Sequence, residues 1–295
     1  MCGVALRKVE IMGRIAVVTD TNSGITNEEA KKLGIYMINM PFMVNGEEFF
    51  DGINSTYEEF FRRLAAGDDV TTSQPAPDSL TELWDKLLTE YDEIVHIPMS
   101  ASLSSSCSTA RALAADYEGK VYVVDNKRIS ITQRESVIDA LKLIEKGKTA
   151  AEVAAYLEEN AFDCSIYLAV NTLELLKKSG RVTAAGAALA TILGLKPVLQ
   201  IQGEKLDAYA KARGMENAQK IMLEVAKKDK EERFKGKKVH ITAAYSGDKA
   251  DAEPWLRRIK DYFGDESVEM YALPISICCH VGAGVKAVSV IPYVE

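Results

Sequence analysis

Residues 14–34 read RIAVVTDTNSGITNEEAKKLG. The first seven, Arg14 to Asp20, form a short β-branched apolar run that turns polar at its end, the pattern of a buried strand in a parallel sheet. Thr26-Asn27-Glu28-Glu29 then has the spacing of a capping box, and the helix it opens stops near Gly34. A buried strand that leads within a few residues into a capped helix starts a βαβ unit. The unit recurs downstream. Glu93–Ile97 and Lys120–Val124 repeat the first strand, and each is followed by polar residues and a helix. Ile35 to Val44 reads as a strand closed by the Asn45-Gly46 turn. Ser55…Glu58 and Ser79…Glu82 open further helices, the second after a proline-bearing loop. Val137, Leu141 and Ile144 share one helical face, and Thr149…Glu152 caps the helix after it. These units predict an N-terminal α/β/α domain on a parallel sheet, residues 14–165, behind an extra N-terminal segment at 1–13.

The grammar then changes. Pro197–Ile201, a Gly203-centred turn and Leu206–Tyr209 read as an antiparallel hairpin. Later strands fall at 238–244, 267–273 and 285–291, with helices at 214–229 and 250–262. A C-terminal mixed α+β domain, residues 166–295, is therefore expected. A length of 295 residues suits two domains at roughly 150 residues each.

Composition narrows the function classes. Acidic residues outnumber basic ones 43 to 36, for a formal net charge of −7, so nothing draws the chain toward nucleic acid or an anionic membrane. No apolar run approaches the roughly 18 residues of a spanning helix. The first dozen residues lack the apolar core of an export signal, and five cysteines are an odd number for stapling. Reduced thiols and a cytoplasmic location are expected.

In an open parallel sheet, ligands bind beyond the carboxyl ends of the strands. Three polar loops lie there or beside it: Thr19–Gly24, Val70-Thr71-Thr72-Ser73-Gln74-Pro75, and Pro98–Ser106 with its run of serines. Hydroxyls and free N–H groups near a helix start favour a carboxylate or phosphate, although helix capping and a solvated loop explain the same residues. His96 lies mid-strand among apolar neighbours and reads as core, and His240 at a strand start reads as solvated. His280, in Cys278-Cys279-His280-Val281-Gly282-Ala283-Gly284, precedes glycines that let backbone approach a ligand. Zinc is not expected: consecutive residues of an extended chain face opposite ways, and no further ligand pair is present. Arg181 and Arg213 stand in basic clusters flanked by apolar segments, and an arginine near the hydroxyl loops would complete an anion clamp. Residues 184–195 form a small-residue apolar helix, suited to tight packing or to lining a narrow slot.

In order along the chain, TDTNSG, Asp51-Gly52, TTSQP, SASLSSSCSTA, SGRVT, GLKPVL, KAR and CHVGAG make the sequence resemble the DegV family, the fatty-acid-binding subunits of bacterial fatty acid kinase. The resemblance runs from residue 14 to the C-terminus. It implies a ligand cleft between the domains that buries one long-chain fatty acid, with no other cofactor and no metal. Carried over by position, it assigns the carboxylate to Thr72, Ser104 and His280, with Ser73 beside them. It places Arg181 and Arg213 near the carboxyl and the kinase-facing mouth. It also implies a carrier without chemistry of its own, which presents the carboxyl to the catalytic subunit of a kinase for acyl-phosphate formation; contact with membrane is at most transient. At Asp125–Ser130 and Gln133-Arg134-Glu135 this chain carries large side chains where the family has glycines, and these are expected either to reshape the pocket or to pair with each other. The alternative is a stand-alone hydrolase or phosphotransferase acting on a small anionic substrate through Ser104 and His280.

Overall fold

The computed structural model describes residues 13–188, 195–202 and 205–295. Four parallel strands form the first sheet, in the order β2–β1–β6–β7: β1 (Ile15–Asp20), β2 (Tyr36–Ile38), β6 (Glu93–Ile97) and β7 (Val121–Val123). Side chains alternate across it, as a period of two requires. Ala16, Val18 and Ile94 pack on Leu80, Trp84 and Leu87 of α3 (Pro77–Leu87) and on Ala110 of α4 (Ser106–Ala114). Val17, Val95 and Ile97 face the other way, onto Val137, Ala140 and Leu143 of α5 (Ile131–Glu145) and Val153 and Leu157 of α6 (Ala150–Glu159). Helices therefore cover both faces, as a parallel sheet demands.

The caps follow the sequence closely. Thr26 caps α1 (Asn27–Leu33) by accepting from Glu29 N, and Thr149 with Glu152 forms a complete capping box. Elsewhere the capping residue moves. Thr56 rather than Ser55 caps α2 (Tyr57–Ala65), and α3 starts at Pro77, whose fixed φ suits the first helical position, so Ser79 lies inside its first turn.

The expected single strand from Ile35 to Val44 is broken. Its first part is β2; its second, β3 (Pro41–Val44), leaves for an antiparallel sheet ordered β4–β3–β5 with β4 (Glu47–Phe50) and β5 (Val70–Thr72). The break has a local cause: Met40 N donates to Thr21 Oγ1 at 3.0 Å instead of to a strand, and Pro41 has no N–H to offer. The proline-bearing loop thus starts as a strand, β5.

A mixed six-stranded sheet begins at β8 (Ser165–Ala169), in the order β10–β9–β8–β13–β11–β12. β9 (Leu195–Ile201) and β10 (Asp207–Arg213) pair antiparallel as expected, and β13 (Lys286–Pro292) lies between β8 and β11 (Val239–Tyr245), with β12 (Glu269–Ala272) parallel to β11 at the edge. The Gly203 turn and residues 189–194 of the expected 184–195 helix lie outside the described residues; Ala184–Ala188 form α8, and Leu195 is already in β9. On one face, Tyr167, Ala169 and Val288 pack on α9 (Met215–Lys228) and α10 (Lys249–Phe263). On the other face, Ile166, Leu168, Leu199 and Ala287 join Phe42 and Phe60 and the helix α11 (Ile275–Val281) in a central core. Short α7 (Glu174–Ser179) also packs into this layer through Leu176.

α11 was not legible as a helix. Its CCH segment is helical rather than extended, so the face-alternation argument about zinc does not apply to this backbone. Among the described residues no group of three or more His, Cys, Asp or Glu side chains could hold a metal ion. Cys278 and Cys279 are buried core residues. His240 is not simply solvated: its Nδ1 lies 3.1 Å from Glu135 Oε2, and its ring stacks on Tyr293 at 3.9 Å. His96 is core, edge-on to Trp84. No helix among the described residues is long and apolar enough to cross a membrane.

Candidate functional site

β1 ends in a buried carboxylate that organises the loops above the first sheet. Asp20 accepts from Met99 N at 2.8 Å, Asn22 N at 2.9 Å and Gln133 Nε2 at 3.2 Å, while burial pushes its pKa upward. The serine loop is thereby anchored to the first strand, and Ser100–Ser105 turns above it into α4. Ser105 adopts an ordinary right-handed conformation (φ −71°, ψ −8°), so a serine fits there without strain. Gln74 fastens the neighbouring loop, since its Oε1 accepts from Ser105 Oγ at 2.8 Å and from Thr109 Oγ1 at 3.1 Å.

Opposite these loops stands α11. Pro274 precedes its first turn and Gly282, at φ +73°, ends it. The helix sets His280 beside the last residue of β5, with Nε2 2.9 Å from Thr72 Oγ1. Burial and the nearby Arg181 cation hold the His280 pKa down at about 4, so the ring is neutral near pH 7. Its Nδ1 is buried without a partner. Placing the single proton on Nε2 avoids a bare buried N–H, makes Thr72 the acceptor, and frees the threonine hydroxyl to donate elsewhere.

Arg181 follows Gly180, the left-handed cap of α7, and is half-buried. Its guanidinium donates to Leu103 O at 3.4 Å and to Ser179 O, which ties the second half of the chain to the serine loop next to Ser104. Ser104 Oγ accepts from Ser106 N at 3.2 Å.

Thr72, Ser73, Ser104, Arg181 and His280 all line one cavity of about 220 Å³ between the two halves. Its remaining walls are largely apolar, with Met40, Leu103, Ile129, Leu176, Leu206 and Ile277 among them. A second cavity of about 260 Å³ lies against the first; both are bordered by Thr72, Arg181 and His280, and the second adds Lys178 and Cys279. The Thr72–His280 pair therefore borders both spaces, the first (the inner cavity) and the second (the outer cavity), where Lys178 and Arg181 supply two cations.

Arg213 is not brought here. It ends the edge strand β10, is exposed, and lines neither cavity. The large residues at 125–135 leave the inner cavity alone, apart from Ile129. They pair, but mostly with partners outside the stretch. Lys127 pairs with Asp125, Arg128 donates to Asn160 O and Ala161 O at the end of α6, Arg134 pairs with Glu29, and Glu135 meets His240. Sequence reasoning missed Gln74, Asn22 and Ser276 as cavity residues. Gln74 lay within the motif already singled out; Ser276 required the helix to be seen, because only then does it share a face with His280. A hydrolase needs a nucleophile bonded to its base. Here His280 Nε2 is bonded to Thr72, and Ser104 Oγ to the backbone of Ser106.

Comparison with known proteins agrees with this architecture. Residues 14–293 match a family profile described as "Uncharacterised protein, DegV family". A DegV domain-containing protein of Deinococcus radiodurans is 29% identical over 205 residues, covering 69% of this chain and 73% of that protein. A solved DegV family protein from Thermus thermophilus, described as fatty acid binding, is 29% identical, with a TM-score of 0.85 over 95% of this chain and 99% of that one. A stearic acid-binding protein from Eubacterium ventriosum shares the fold, at 21% identity and a TM-score of 0.85 over 94% of this chain and 98% of that one.

Proposed function

Because this chain belongs to the DegV family, we propose that it binds one long-chain fatty acid in the inner cavity and presents the carboxyl group to a partner kinase. The observation that carries the reading is the Thr72–His280 pair, joined by Ser73, Ser104 and Arg181, in the wall of a cavity whose other residues are largely apolar. A carboxylate in such surroundings is costly unless several donors meet it. The Thr72 hydroxyl, Ser104, Ser73 and the Arg181 guanidinium border the cavity and supply them. The tail supplies most of the affinity, at about 0.8 kcal/mol for each buried methylene before ordering costs. The polar wall fixes which end faces out. The outer cavity, with Arg181 and Lys178 at its border, is suited to a partner that brings a phosphoryl donor.

Two measurements test the proposal. Protein purified natively and then denatured should release a fatty acid detectable by mass spectrometry, and lipid-stripped protein should be stabilised by added palmitate. Absence of released lipid together with no shift on palmitate addition would overturn it.

A further inference from the structure

Four residues before His280, and therefore just over one turn or about 6 Å along the same helix, stands Ser276. Its Oγ donates to Asn22 Oδ1 at 2.7 Å, and both residues line the inner cavity although Ser276 is only 6% and Asn22 2% exposed. The other end of the Asn22 amide is committed. Its Nδ2 lies 2.9 Å from Met99 Sδ and interacts favourably with the Asp20 carboxyl group. That orientation leaves unused lone pairs on Asn22 Oδ1 and Ser276 Oγ, in a cavity that Met40, Leu103, Ile129 and Ile277 also line. A plain hydrocarbon chain passing here would cover these acceptors and offer them no donor.

We propose that the acyl chain bound by this protein carries a hydroxyl group within its first few carbons, which donates to the Asn22–Ser276 pair while the carboxyl group sits at His280. The proposal rests on the fatty-acid reading above. It concerns a hydroxyl specifically: a keto oxygen brings only lone pairs to a site whose spare valences are already lone pairs. A site built to pair a hydroxyl rejects analogues that lack it far more strongly than an apolar slot distinguishes chain lengths.

The test titrates lipid-stripped protein with palmitate and with palmitates hydroxylated at the β, γ or δ carbon. At least one hydroxylated acid is expected to bind about tenfold or more tightly than palmitate. In Ser276→Ala that preference should shrink to within about twofold. Palmitate binding as tightly as all three hydroxylated acids would overturn the inference and leave the fatty-acid reading standing. No binding of any of the four would remove both. The comparison on the unsubstituted protein decides the matter even where the variant fails to fold.

Discussion

His280 and Thr72 stand 208 residues apart in the chain, yet Nε2 and Oγ1 meet at 2.9 Å. Burial of this imidazole, with the Arg181 cation nearby, gives the site a definite response to acid. The folded-state pKa of His280 is depressed from 6.5 to about 4, so the unfolded chain binds its proton first as the pH drops. Its contribution is fully present above pH 6.5 and is lost as the pH falls toward 4. The shift corresponds to a loss on the order of 3 kcal/mol. Denaturant unfolding of lipid-free protein between pH 7 and pH 5 should show the decline, and His280→Gln should remove about one proton from its slope. An unchanged slope in that variant would show that His280 titrates normally in the fold.

Loss of a donor at the polar wall should weaken ligand binding more than the fold. Thr72→Ala, Ser104→Ala and His280→Ala are each expected to cost about 1 to 3 kcal/mol in palmitate affinity. Arg213→Ala, exposed on an edge strand outside both cavities, should leave the affinity unchanged. Calorimetric titration alongside melting temperatures separates these effects; an Arg213 variant as weak as the Thr72 variant would place the carboxyl group elsewhere.

The salt bridge between Arg134 and Glu29 is a fastening of the fold, and neither residue lines the inner or the outer cavity. The Arg134 guanidinium also lies over the Tyr271 ring at 4.4 Å, and its hydrogen bond holds the Glu29 carboxyl below the usual range. Arg134→Met should lower stability at pH 7 by about 1 to 2 kcal/mol, with palmitate affinity preserved. Because the Glu29 pKa is depressed, the difference between variant and parent should narrow as the pH falls below 4.5. Paired urea titrations at pH 7 and pH 4 measure it.

Gly284 closes the loop behind His280 at φ +80°, and a Cβ there would lie 2.0 Å from Asn171 Nδ2. That amide nitrogen donates to Ala283 O at 3.1 Å, so it cannot yield without losing a bond. Gly284→Ala should cost about 2 to 4 kcal/mol. Gly34→Ala has a similar φ of +69° but nothing within 4 Å of the new methyl, and should cost about 1 kcal/mol. Equal losses for the two would assign the whole effect to backbone strain.

Much of the first half was legible because its signals are local. Thr26 and Thr149 cap the helices their spacing announced, and the apolar runs at 15–20 and 93–97 became the inner strands β1 and β6. α11 was not legible because ISICCHV offers β-branched and small apolar residues with no polar stripe to set a period; it is buried almost all round, and its packing rather than its propensity makes it helical. The same blindness hid Ser276. His240 was misjudged for a different reason: Glu135 is 105 residues away, and no local pattern announces so distant a partner. Thr72, Ser104 and His280 could be gathered from the ordered motifs, while the exclusion of Arg213 depends on where an edge strand ends.

The position of β13 carries a consequence for biosynthesis. This strand comes after every other in the chain, yet it occupies an interior place in its sheet, flanked by β8 and β11. His280 precedes it by only a few residues. Synthesis must therefore have passed Pro292 before the second sheet can close and hold the imidazole against Thr72. Chains truncated before β13 should therefore lack both the closed second sheet and the Thr72–His280 contact.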